Sequence, residues 1–541
     1  MSNIVDDLHQ SANLIKSIGD TLLPDGRSLS DSLTIDGIPY WDVFAPELAR
    51  VYLPYALAES DYKKLIIQLT KPILIKTKYF IRDLTRRYKH RHEYSDQTTS
   101  ETILCLDFMD QQSRDVVQPV VSYLANHQEK QVLSLRDSEW PSHLGTLNSN
   151  EVRRTTWSFW CDDLNTQSLD RKLNSIKKSF VKSKVLEQIG GKPYFRKRIQ
   201  RAINRLFIGE LSSLIRHGVL SKHILKKLRP SLVISADTAD PRTRIYMLQC
   251  KKLGIPCLAL QFGLINSAAI EWRFFPADLV AVWGEDSKKT LISHSMSSNQ
   301  IIMTGSPRND SLFNFPASEA EAIKKKLDIP EGSPVILLAS TFTLGSYDKL
   351  YNDPEILQAM KRAVFDSVDH FENVYLIVKP HPEENESETK SFASNNPNII
   401  FVPKAEDIRP LIKICDCFIS FNSTTTIDAL ILDKLVICPA FPGWVWSKAY
   451  TDTKAVCAPT SSKEICDIFK LISTSSQSIL SGKLKHARNK LVKNWIYRND
   501  GLGAERIGNL ALSMISDHQK KKAFLNKVSD QREFIEPIIN H

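Results

Sequence analysis

Residues 374–382 read Val-Tyr-Leu-Ile-Val-Lys-Pro-His-Pro. The first five are apolar and rich in β-branched and aromatic side chains, which is typical of a buried strand, and the prolines end it. Further along the chain a second apolar run, 415–421, is followed by Asn-Ser-Thr-Thr-Thr and a helical pattern. In an open α/β sheet, ligands bind outside the carboxyl ends of the strands, where helix N-termini present N–H groups to anions. The two strand ends therefore predict one anion-binding edge of a parallel sheet.

Strand-like runs alternate with helical patterns twice along the chain, which predicts two parallel sheets with right-handed crossovers. The first series begins near residue 102 and the second near residue 335, with a turn-rich boundary at 312–332. We therefore expect an α/β protein with two Rossmann-like domains facing each other across a cleft. The expected parts are a helical N-terminal extension (1–98), a first domain (99–315) with a basic helical insertion (about 150–228), a second domain (316–515) and a C-terminal tail (516–541).

The composition is that of a soluble globular protein, with 541 residues, 42% hydrophobic and 24% charged. Its apolar runs are shorter than the roughly 18 residues that a membrane span needs. The acidic, polar N-terminus does not resemble a secretory signal, and the nine cysteines show no metal-type spacing. We therefore expect the protein in a reducing cytoplasm.

The positive charge is concentrated between Arg171 and Arg229, where 17 lysines and arginines accompany only two acids. A basic helical stretch of this kind is either a solvated helix face or a surface attracted to anionic membranes or polyanions. Aromatic residues are sparse within it and no zinc-finger or RNA-recognition signature occurs, so nucleic acid is not expected as a partner. The membrane interpretation predicts a peripheral location at the inner face of the plasma membrane.

The second domain has the polar residues of an anion site without a glycine fingerprint. Neither G-x-G-x-x-G nor G-x-x-x-x-G-K-[ST] occurs, which excludes the common dinucleotide and P-loop sites. Hydroxyls and N–H groups at strand ends could instead hold a phosphate, and His381 could donate to a leaving oxygen. An N-cap and a structural histidine are the alternative explanations. The candidate donor-binding residues are Ser340, Thr341, Lys379, His381, Pro382, Asn422, Ser423 and Thr424.

In the first domain the strand 231–235 runs into Ala-Asp-Thr-Ala-Asp-Pro-Arg-Thr-Arg, so carboxylates and guanidiniums follow one strand end. Asp237 or Asp240 could act as general base or nucleophile, and Arg242 and Arg244 could bind an anion. Asp240 before a proline is also a typical helix cap. Further candidate substrate-binding residues at the same edge are Gly263, Glu285, Ser306 and Arg308. For the two strand ends with Glu285, Ser306 and Arg308, a tight interdomain turn is the alternative explanation.

These motifs resemble the GT-B-type transferases of bacterial surface polysaccharides, a group that includes capsule and lipopolysaccharide Kdo transferases, polysialyltransferases and CDP-polyol transferases. The likeness covers roughly residues 230–510. At Gln261-Phe262-Gly263 many members have Gln-His-Gly, so phenylalanine here replaces a histidine. The other matching segments are Lys379-Pro-His-Pro382, Ser420-Phe-Asn-Ser-Thr424 with Asp428-Ala429, Val282-Trp-Gly-Glu285, Thr304-Gly-Ser-Pro-Arg308 and the run 500–507.

The resemblance implies a nucleotide-sugar donor in the second domain and a glycan or lipid-linked glycan acceptor in the first. It implies that His381 with Ser423 and Thr424 holds a CMP phosphate, and that Asp237 or Asp240 is the catalytic carboxylate. The expected activity is therefore glycosyl transfer, from a CMP-activated ulosonic acid such as Kdo or a sialic-type acid. Because no D-x-D lies between apolar strands, we expect no metal and no cofactor beyond the donor.

Three other functions remain open at this stage. A CDP-polyol or UDP-sugar transferase would have the same fold and a different donor. A sugar-nucleotide 2-epimerase shares the two-domain architecture but would act without an acceptor. A non-catalytic polysaccharide-binding protein would keep its function when His381 and Asp237 are replaced by alanine, whereas a transferase would lose turnover.

Overall fold

The computed structural model divides the chain into two compact units. Of the described residues, the N-terminal unit comprises those in 12–283, 287–308 and 502–520, and the C-terminal unit those in 284–286 and 309–501. The structure describes residues 12–47, 102–107, 111–126, 131–136, 152–156, 167–182, 211–236, 240–265, 270–313, 317–342, 353–382, 384–393, 396–421, 423–444 and 448–520.

The first described segment, 12–47, is a helical piece with a small hairpin that shares a core with the N-terminal unit. The indole of Trp41 is buried and donates to the Ile15 carbonyl at 3.2 Å. The same core includes Leu211 and Ile245 from later helices, so this part of the expected N-terminal extension packs on the first domain. Its elements are helices α1 (12–20), α2 (Leu29–Ser32) and α3 (Tyr40–Glu47) and the antiparallel strands β1 (Thr34–Ile35) and β2 (Ile38–Pro39).

The N-terminal unit is built on a seven-stranded sheet with the order β5-β4-β3-β6-β7-β8-β9. All its pairs are parallel, as the alternation of strands and helices predicts. The central strands are continuous apolar runs because helices cover both faces of such a sheet. The strands are β3 (Thr102–Asp107), β4 (Gln131–Arg136), β5 (Val152–Thr156), β6 (Leu232–Ser235), β7 (Cys257–Leu260), β8 (Leu279–Val282) and β9 (Ile301–Met303).

The expectation of helix throughout residues 150–228 is wrong at its start, where β5 pairs with β4 at the sheet edge. The β5 sequence, Val-Arg-Arg-Thr-Thr, is too polar to show a strand pattern, and an edge strand does not need one. Residues 183–210 of the basic stretch lie outside the described residues. The helices of this part are α4 (Gln111–Ala125), α5 (Gln167–Lys182), α6 (Leu211–Leu228), α7 (Pro241–Leu253) and α8 (Glu285–Ser293), with 3₁₀ turns at Ile270–Phe274, Ser298–Gln300 and Pro307–Leu312.

The C-terminal unit is built on a five-stranded parallel sheet with the order β12-β11-β10-β13-β14. Strand β10 is therefore central, between the strands that precede the two predicted polar ends. The two strands before the polar ends were expected at 374–378 and within 415–421, and the structure has them at Tyr375–Lys379 and Cys417–Ser420. The strands are β10 (Val335–Ala339), β11 (Tyr375–Lys379), β12 (Ile399–Phe401), β13 (Cys417–Ser420) and β14 (Leu435–Ile437).

Helices pack on this sheet through fully buried aromatic and aliphatic side chains. Phe365 and Phe469 come from two different helices and share one core cluster with strand residues such as Ile336. The helices are α9 (Ala317–Lys326), α10 (Pro354–Val368), α11 (Glu386–Lys390), α12 (Ile408–Ile414), α13 (Thr425–Ile431), α14 (Lys448–Thr451), α15 (Ser462–Ser473) and α16 (Gln477–Trp495).

The last described helix, α17 (503–520), packs in the N-terminal unit although it follows the C-terminal unit in sequence. Its Ile507, Ala511 and Ile515 are buried in one cluster with Val116 and Val120 of α4. The expected second domain of residues 316–515 therefore differs from the structure at its end, because the chain returns to the N-terminal unit from residue 502. Within the part of the chain that the structure describes, no helix is both long and apolar enough to cross a membrane.

The prediction of an α/β protein with two parallel sheets is confirmed.

Candidate functional site

The two predicted polar strand ends lie on either side of the central strand of the C-terminal sheet. Ala339, the last residue of β10, is in register with Lys379 of β11 and with Ser420 of β13. Residues after these positions therefore leave the sheet at the same edge on three adjacent strands. Ser340 follows β10 and its backbone N–H donates to the Lys379 carbonyl at 3.0 Å. The edge thus brings together the candidate groups around residues 340, 381 and 423.

A buried carboxylate joins two of these strand ends. Glu384, 3% exposed, accepts a hydrogen bond from the Ser340 hydroxyl at 2.7 Å and from the backbone N–H of His381 at 3.0 Å. The ammonium of Lys361 on α10 contacts the same carboxylate at 2.5 Å, and the Thr389 hydroxyl of α11 also donates to it. We call Ser340, Lys361, Glu384 and Thr389 the strand-end network.

The charges of the strand-end network fix its ionisation state. Burial alone would raise the pKa of Glu384, but the nearby Lys361 charge and the hydrogen bonds from Lys361, Thr389 and Ser340 outweigh it and lower that pKa below its ordinary value. Lys361 is itself only 5% exposed and donates a further hydrogen bond to Thr389 at 3.0 Å. A buried ion pair is tolerated when hydrogen bonds satisfy its remaining groups, as they do here. The carboxylate is therefore charged at neutral pH.

His381 is held at its backbone and partly exposed at its side chain. Its ring lies 5.1 Å from the ring of Phe342, measured between centroids, with the two planes tilted by 49°. Phe342 follows Ser340 and Thr341, so the loops after β10 and β11 are in contact. Thr341 is buried and Pro382 is exposed. Of these candidates, the imidazole of His381 combines acid–base chemistry with access to solvent.

Lys379 points its ammonium at the backbone. Its Nζ donates to the carbonyl of Pro380 at 3.1 Å and to that of Lys404 at 2.8 Å. Burial lowers the pKa of this lysine, although nearby carboxylates, first among them Asp407, act in the opposite direction. Two of its three donors therefore hold neighbouring loops together, which leaves at most one for a ligand.

At the third strand end, Ser423 organises the turn into α13. Its backbone N–H donates to the Ser420 hydroxyl at 2.9 Å, and its own hydroxyl lies 2.7 Å from that of Thr425. Thr424, at the N-cap position, makes no side-chain capping bond, so the simplest structural explanation for a threonine there does not apply. Tyr450 donates to the Ser423 carbonyl at 2.8 Å. Asn422 lies outside the described residues.

Asp428, in the motif after this strand end, has a structural partner that the sequence did not indicate. The side-chain amide of Asn309 donates to its carboxylate at 2.6 Å, and both side chains are buried. The two residues are far apart in the chain, so no local pattern connects them. Asn309 directly follows the Gly-Ser-Pro-Arg motif, and this bond fixes the end of that segment within the C-terminal unit.

A cavity of about 210 Å³ lies beside the strand-end network. Its lining includes the apolar side chains of Phe342, Pro354 and Leu357 and the ion pair of Lys361 and Glu384. Complete small-molecule pockets usually exceed about 300 Å³, so this cavity has room for part of a ligand. The edge of the C-terminal sheet is therefore concave as well as polar.

In the N-terminal unit the strand end after β6 is partly described. Asp240 is the N-cap of α7, accepts from the backbone N–H of Arg242 at 2.7 Å and pairs with its guanidinium at 2.6 Å. Pro241 follows at the first helical position, as the capping alternative predicted. Arg244 is 1% exposed and so does not present its side chain to solvent. Asp237 lies outside the described residues.

The Gln-Phe-Gly motif cross-links two strand ends in the N-terminal unit. The Gln261 side chain accepts from the Trp283 backbone N–H at 2.7 Å and donates to the Gly263 carbonyl at 2.8 Å, while the indole of Trp283 donates to the Gln261 carbonyl at 2.9 Å. Phe262, at the position of the family histidine, packs against the core. Glu285 begins α8 and is half-buried. The motif therefore has a structural role that explains its glutamine.

Two further motifs of the resemblance pack against each other in the same unit. Gly503 sits so close to the backbone of Ser306 that an added Cβ would lie 2.8 Å from the Ser306 carbonyl carbon. The guanidinium of Arg506 donates to the Thr304 carbonyl at 2.6 Å. Gly305 has a positive φ of 81°, which favours glycine in this turn. Ser306 and Arg308 are both buried within the turn.

Residues 285–512 match the family model described as CDP-glycerol:poly(glycerophosphate) glycerophosphotransferase. The matched segment contains the three adjacent strand ends, after β10, β11 and β13, that carry the candidate site. No curated protein matches the chain. The family match agrees with the broader resemblance to transferases of bacterial surface polymers. Within that group it agrees with the CDP-polyol transferases and gives no support to the Kdo or polysialyl subgroup.

Three solved structures with similar folds are distant in sequence. A variant of the wall teichoic acid polymerase TagF is 13% identical, with a TM-score of 0.50, over 84% of this chain and 98% of that chain. The S. aureus MnaA–UDP co-structure is 13% identical, with a TM-score of 0.47, over 75% and 94%. The UDP-GlcNAc 2-epimerase from Neisseria meningitidis bound to UDP-GlcNAc is 15% identical, with a TM-score of 0.47, over 76% and 100%.

The likeness to the TagF structure supports the GT-B-like fold class and nothing further, because the identity is low. The family match concerns the segment with the candidate donor site. The predictions of a GT-B-like fold and of a transferase enzyme are therefore confirmed.

Proposed function

We propose that this protein transfers a glycerol phosphate, or a closely related polyol phosphate, from a CDP-activated donor to a hydroxyl of a bacterial surface polymer. The observation that carries the proposal is the match of residues 285–512 to the CDP-glycerol glycerophosphotransferase family, which includes His381 and the Ser423 turn. The proposal keeps the cytidine nucleotide of the sequence prediction. It replaces the ulosonic acid by a polyol phosphate, since only the latter has a match in its favour.

The donor phosphates are assigned to the edge of the C-terminal sheet. His381 lies at the end of β11, and the N-terminus of α13 lies at the end of β13, one strand beyond β10. N–H groups at a helix start and hydroxyls such as that of Thr424 bind phosphate oxygens well. In our proposal Lys379 and Ser340 support this edge from within, since both side chains are already bonded to protein groups.

The proposed reaction is a displacement at phosphorus. The acceptor hydroxyl oxygen forms a bond to the phosphorus that carries the glycerol, and the bond from that phosphorus to the oxygen bridging to CMP breaks. CMP leaves with the electron pair, and His381 donates a hydrogen bond to its phosphate as the negative charge develops. The acceptor proton passes to a carboxylate, for which we propose Asp237, because Asp240 is bonded to Arg242 as a helix cap.

The remaining candidate residues are proposed as acceptor contacts. A polymer of phosphodiesters is anionic, and Arg242 supplies a partly exposed guanidinium suited to phosphate. Arg308, like Arg244, is buried, so we propose that it supports the turn after β9 beside the acceptor. Gly263, Glu285 and the buried Ser306 are retained as contacts at the same edge. We propose that the reaction needs no metal, which a turnover assay in EDTA tests.

Nucleotide binding followed by product analysis tests the function. Thermal-shift and calorimetric titration with CMP, CDP-glycerol, CMP-Kdo, UDP-GlcNAc and GDP should give binding for the cytidine compounds and tightest binding for CDP-glycerol. Incubation with CDP-glycerol and a glycerol phosphate oligomer should then release CMP and lengthen the oligomer. Preference for CMP-Kdo would return the assignment to an ulosonic acid transferase. Binding of UDP-GlcNAc alone, with turnover that needs no acceptor, would indicate an epimerase.

We further propose that the basic stretch 171–229 holds the enzyme near an anionic membrane surface. In its described part, Lys226, Lys227 and Arg229 are exposed at the end of α6. Each lysine or arginine near an anionic leaflet contributes about 1 kcal/mol of attraction. Co-sedimentation with vesicles containing phosphatidylglycerol should therefore exceed that with phosphatidylcholine alone. It should fall when Lys226 and Lys227 are replaced by glutamate, and equal binding to both vesicles would contradict the proposal.

A further inference from the structure

The two carboxylate oxygens of Glu384 accept hydrogen bonds from different groups. Oε1 accepts from Ser340 at the end of β10, from Lys361 of α10 and from Thr389 of α11. Oε2 accepts the backbone N–H of His381 at the end of β11. One side chain thus sets the position of the strand-end histidine relative to the neighbouring strand end.

We propose that Glu384 is the positioning residue of His381, acting through the backbone of the turn after β11 rather than by touching the substrate. This inference rests on the proposed function, in which His381 contacts the leaving phosphate. Bonds to the backbone matter here because the imidazole is partly exposed and the loop that carries it leaves the sheet at this point. A displacement of a catalytic group by about 1 Å is enough to lower turnover about 100-fold.

The surroundings of Glu384 explain why an anion holds this place. Four donors converge on its two oxygens, and Lys361 supplies a buried positive charge that needs a partner. Replacing Glu384 alone would leave that charge unpaired and would disturb folding for reasons unrelated to catalysis. A test of positioning must therefore remove the charges of Glu384 and Lys361 together.

Two double variants separate positioning from structural support. Lys361→Met with Glu384→Met replaces the ion pair by apolar groups of similar size, which is often neutral for stability, and leaves the His381 N–H without an acceptor. Lys361→Met with Glu384→Gln is also free of charge, but its amide oxygen can accept from His381 while its NH₂ donates to the hydroxyls of Ser340 and Thr389. The two proteins differ only at position 384, where glutamine supplies both the acceptor for His381 and donors for the two hydroxyls.

We call the Lys361→Met, Glu384→Met protein the methionine pair and the Lys361→Met, Glu384→Gln protein the glutamine pair. For the methionine pair we expect kcat with CDP-glycerol to fall about 100-fold, while KM for the donor changes less than about threefold. The glutamine pair should recover kcat to within about fivefold of the wild type. A purely structural role predicts equal kcat for the two proteins once their melting temperatures agree. Equal kcat would therefore overturn the proposal. Glu386→Gln on α11, which weakens the ion pairs of Glu386 with Lys390 at 3.0 Å and with Lys404 at 4.0 Å and leaves Glu384 in place, is the control and should match the wild type.

NMR provides a readout that does not depend on a substrate. In protein labelled at histidine, the imidazole signal of His381, assigned by its loss in His381→Asn, should shift or broaden in the methionine pair and return in the glutamine pair. If no nucleotide serves as donor, the proposed function fails while this comparison still decides the positioning role. If the methionine pair does not fold, Glu384→Asp, which keeps the charge and retracts the carboxylate by one methylene, should show the same displaced signal. An unchanged His381 signal would overturn the proposal.

Discussion

The side-chain amide of Asn309 and the carboxylate of Asp428 are joined by a buried hydrogen bond of 2.6 Å. Asn309 belongs to the segment just after the Gly-Ser-Pro-Arg turn, and Asp428 lies on α13, the helix that follows the Ser423 strand end. Asp428 lies in the first turn of this helix, where an aspartate is common for local reasons. It also makes a long-range hydrogen bond inside the C-terminal unit. This bond fixes α13, whose N-terminus is assigned to the donor phosphate.

Loss of the hydrogen bond between Asn309 and Asp428 should lower the stability of the protein. We expect Asp428→Ala to lower the free energy of unfolding by about 2–3 kcal/mol, because it leaves a buried amide without its charged acceptor. Urea denaturation measures the loss. The exposed Asp467→Ala on α15 is a matched control and should stay within about 0.5 kcal/mol of the wild type. If Asp428→Ala also stays within about 0.5 kcal/mol of the wild type, the hydrogen bond does not stabilise the protein as we expect.

Protonation of Glu384 at low pH should lower the unfolding free energy of the C-terminal unit. Its pKa lies below its ordinary value of 4.5, since Lys361 and the hydrogen bonds outweigh the effect of burial. Its contribution is therefore fully present above the unfolded pKa and is lost as the pH falls through the lower, folded pKa. One such group changes the unfolding free energy by at most about 1.4 kcal/mol per pH unit. Unfolding curves between pH 6 and pH 3 should have a shallower dependence in the Lys361→Met, Glu384→Met protein, and an identical dependence would exclude this assignment.

The alternating pattern of strands and helices was sufficient to predict both sheets. Runs such as 335–339 and 374–378 are apolar because a central parallel strand is buried on both faces, so the pattern depends on the fold itself. Strand β5 was missed because an edge strand with the sequence Val-Arg-Arg-Thr-Thr does not carry that pattern. The return of α17 to the N-terminal unit was not predicted, because the helix follows the second sheet in the chain and its partners on α4 are almost 400 residues away in sequence.

The gathering of His381 and Ser423 at one edge of the C-terminal sheet was predictable, and the hydrogen-bond partners of the neighbouring residues were less so. The edge with His381 and Ser423 follows from the rule that ligands bind at the carboxyl ends of strands. The partners of Lys379 and Glu384 could not be predicted, because charged residues in a loop are usually solvated and burial is decided by the tertiary fold. Glu384 was therefore overlooked, although it lies three residues after His381 in the sequence.

Lys379 should prove to be mainly structural. Its ammonium holds the carbonyls of Pro380 and Lys404, so we expect Lys379→Met to lower the unfolding free energy by about 1–3 kcal/mol. The dissociation constant for CMP, measured by calorimetry on the folded variant, should rise less than about threefold. The exposed Lys390→Met on α11 is the control for the loss of a lysine. A rise in the dissociation constant above about tenfold would instead show that the remaining donor of Lys379 binds the nucleotide.

We expect Asp240 to act only as a helix cap and Asp237 to act as the catalytic carboxylate. Asp240→Ala removes an N-cap and should cost about 1 kcal/mol of stability, whereas Asp240→Ser should restore most of it because serine caps well. Neither variant should lower turnover more than about fivefold. Asp237→Ala should lower turnover by at least about 100-fold, the usual effect of losing a general base. A reversed pattern of turnover would move the catalytic role to Asp240.

Replacement of His381 should affect chemistry and leave the fold intact. Its imidazole is partly exposed and its backbone N–H, which Glu384 holds, remains in any variant. We therefore expect His381→Asn to lower kcat about 100- to 10,000-fold with CDP-glycerol as donor, while the unfolding free energy changes by less than about 1 kcal/mol. His370→Asn, at an exposed position after α10, controls for the general loss of a histidine and should retain wild-type turnover.

A change of donor tests the proposed role of the imidazole at the leaving phosphate. His381→Asn should recover part of its rate with a donor whose leaving group is less basic. Full turnover of His381→Asn would remove the histidine from the mechanism and leave the Ser423 turn as the phosphate site.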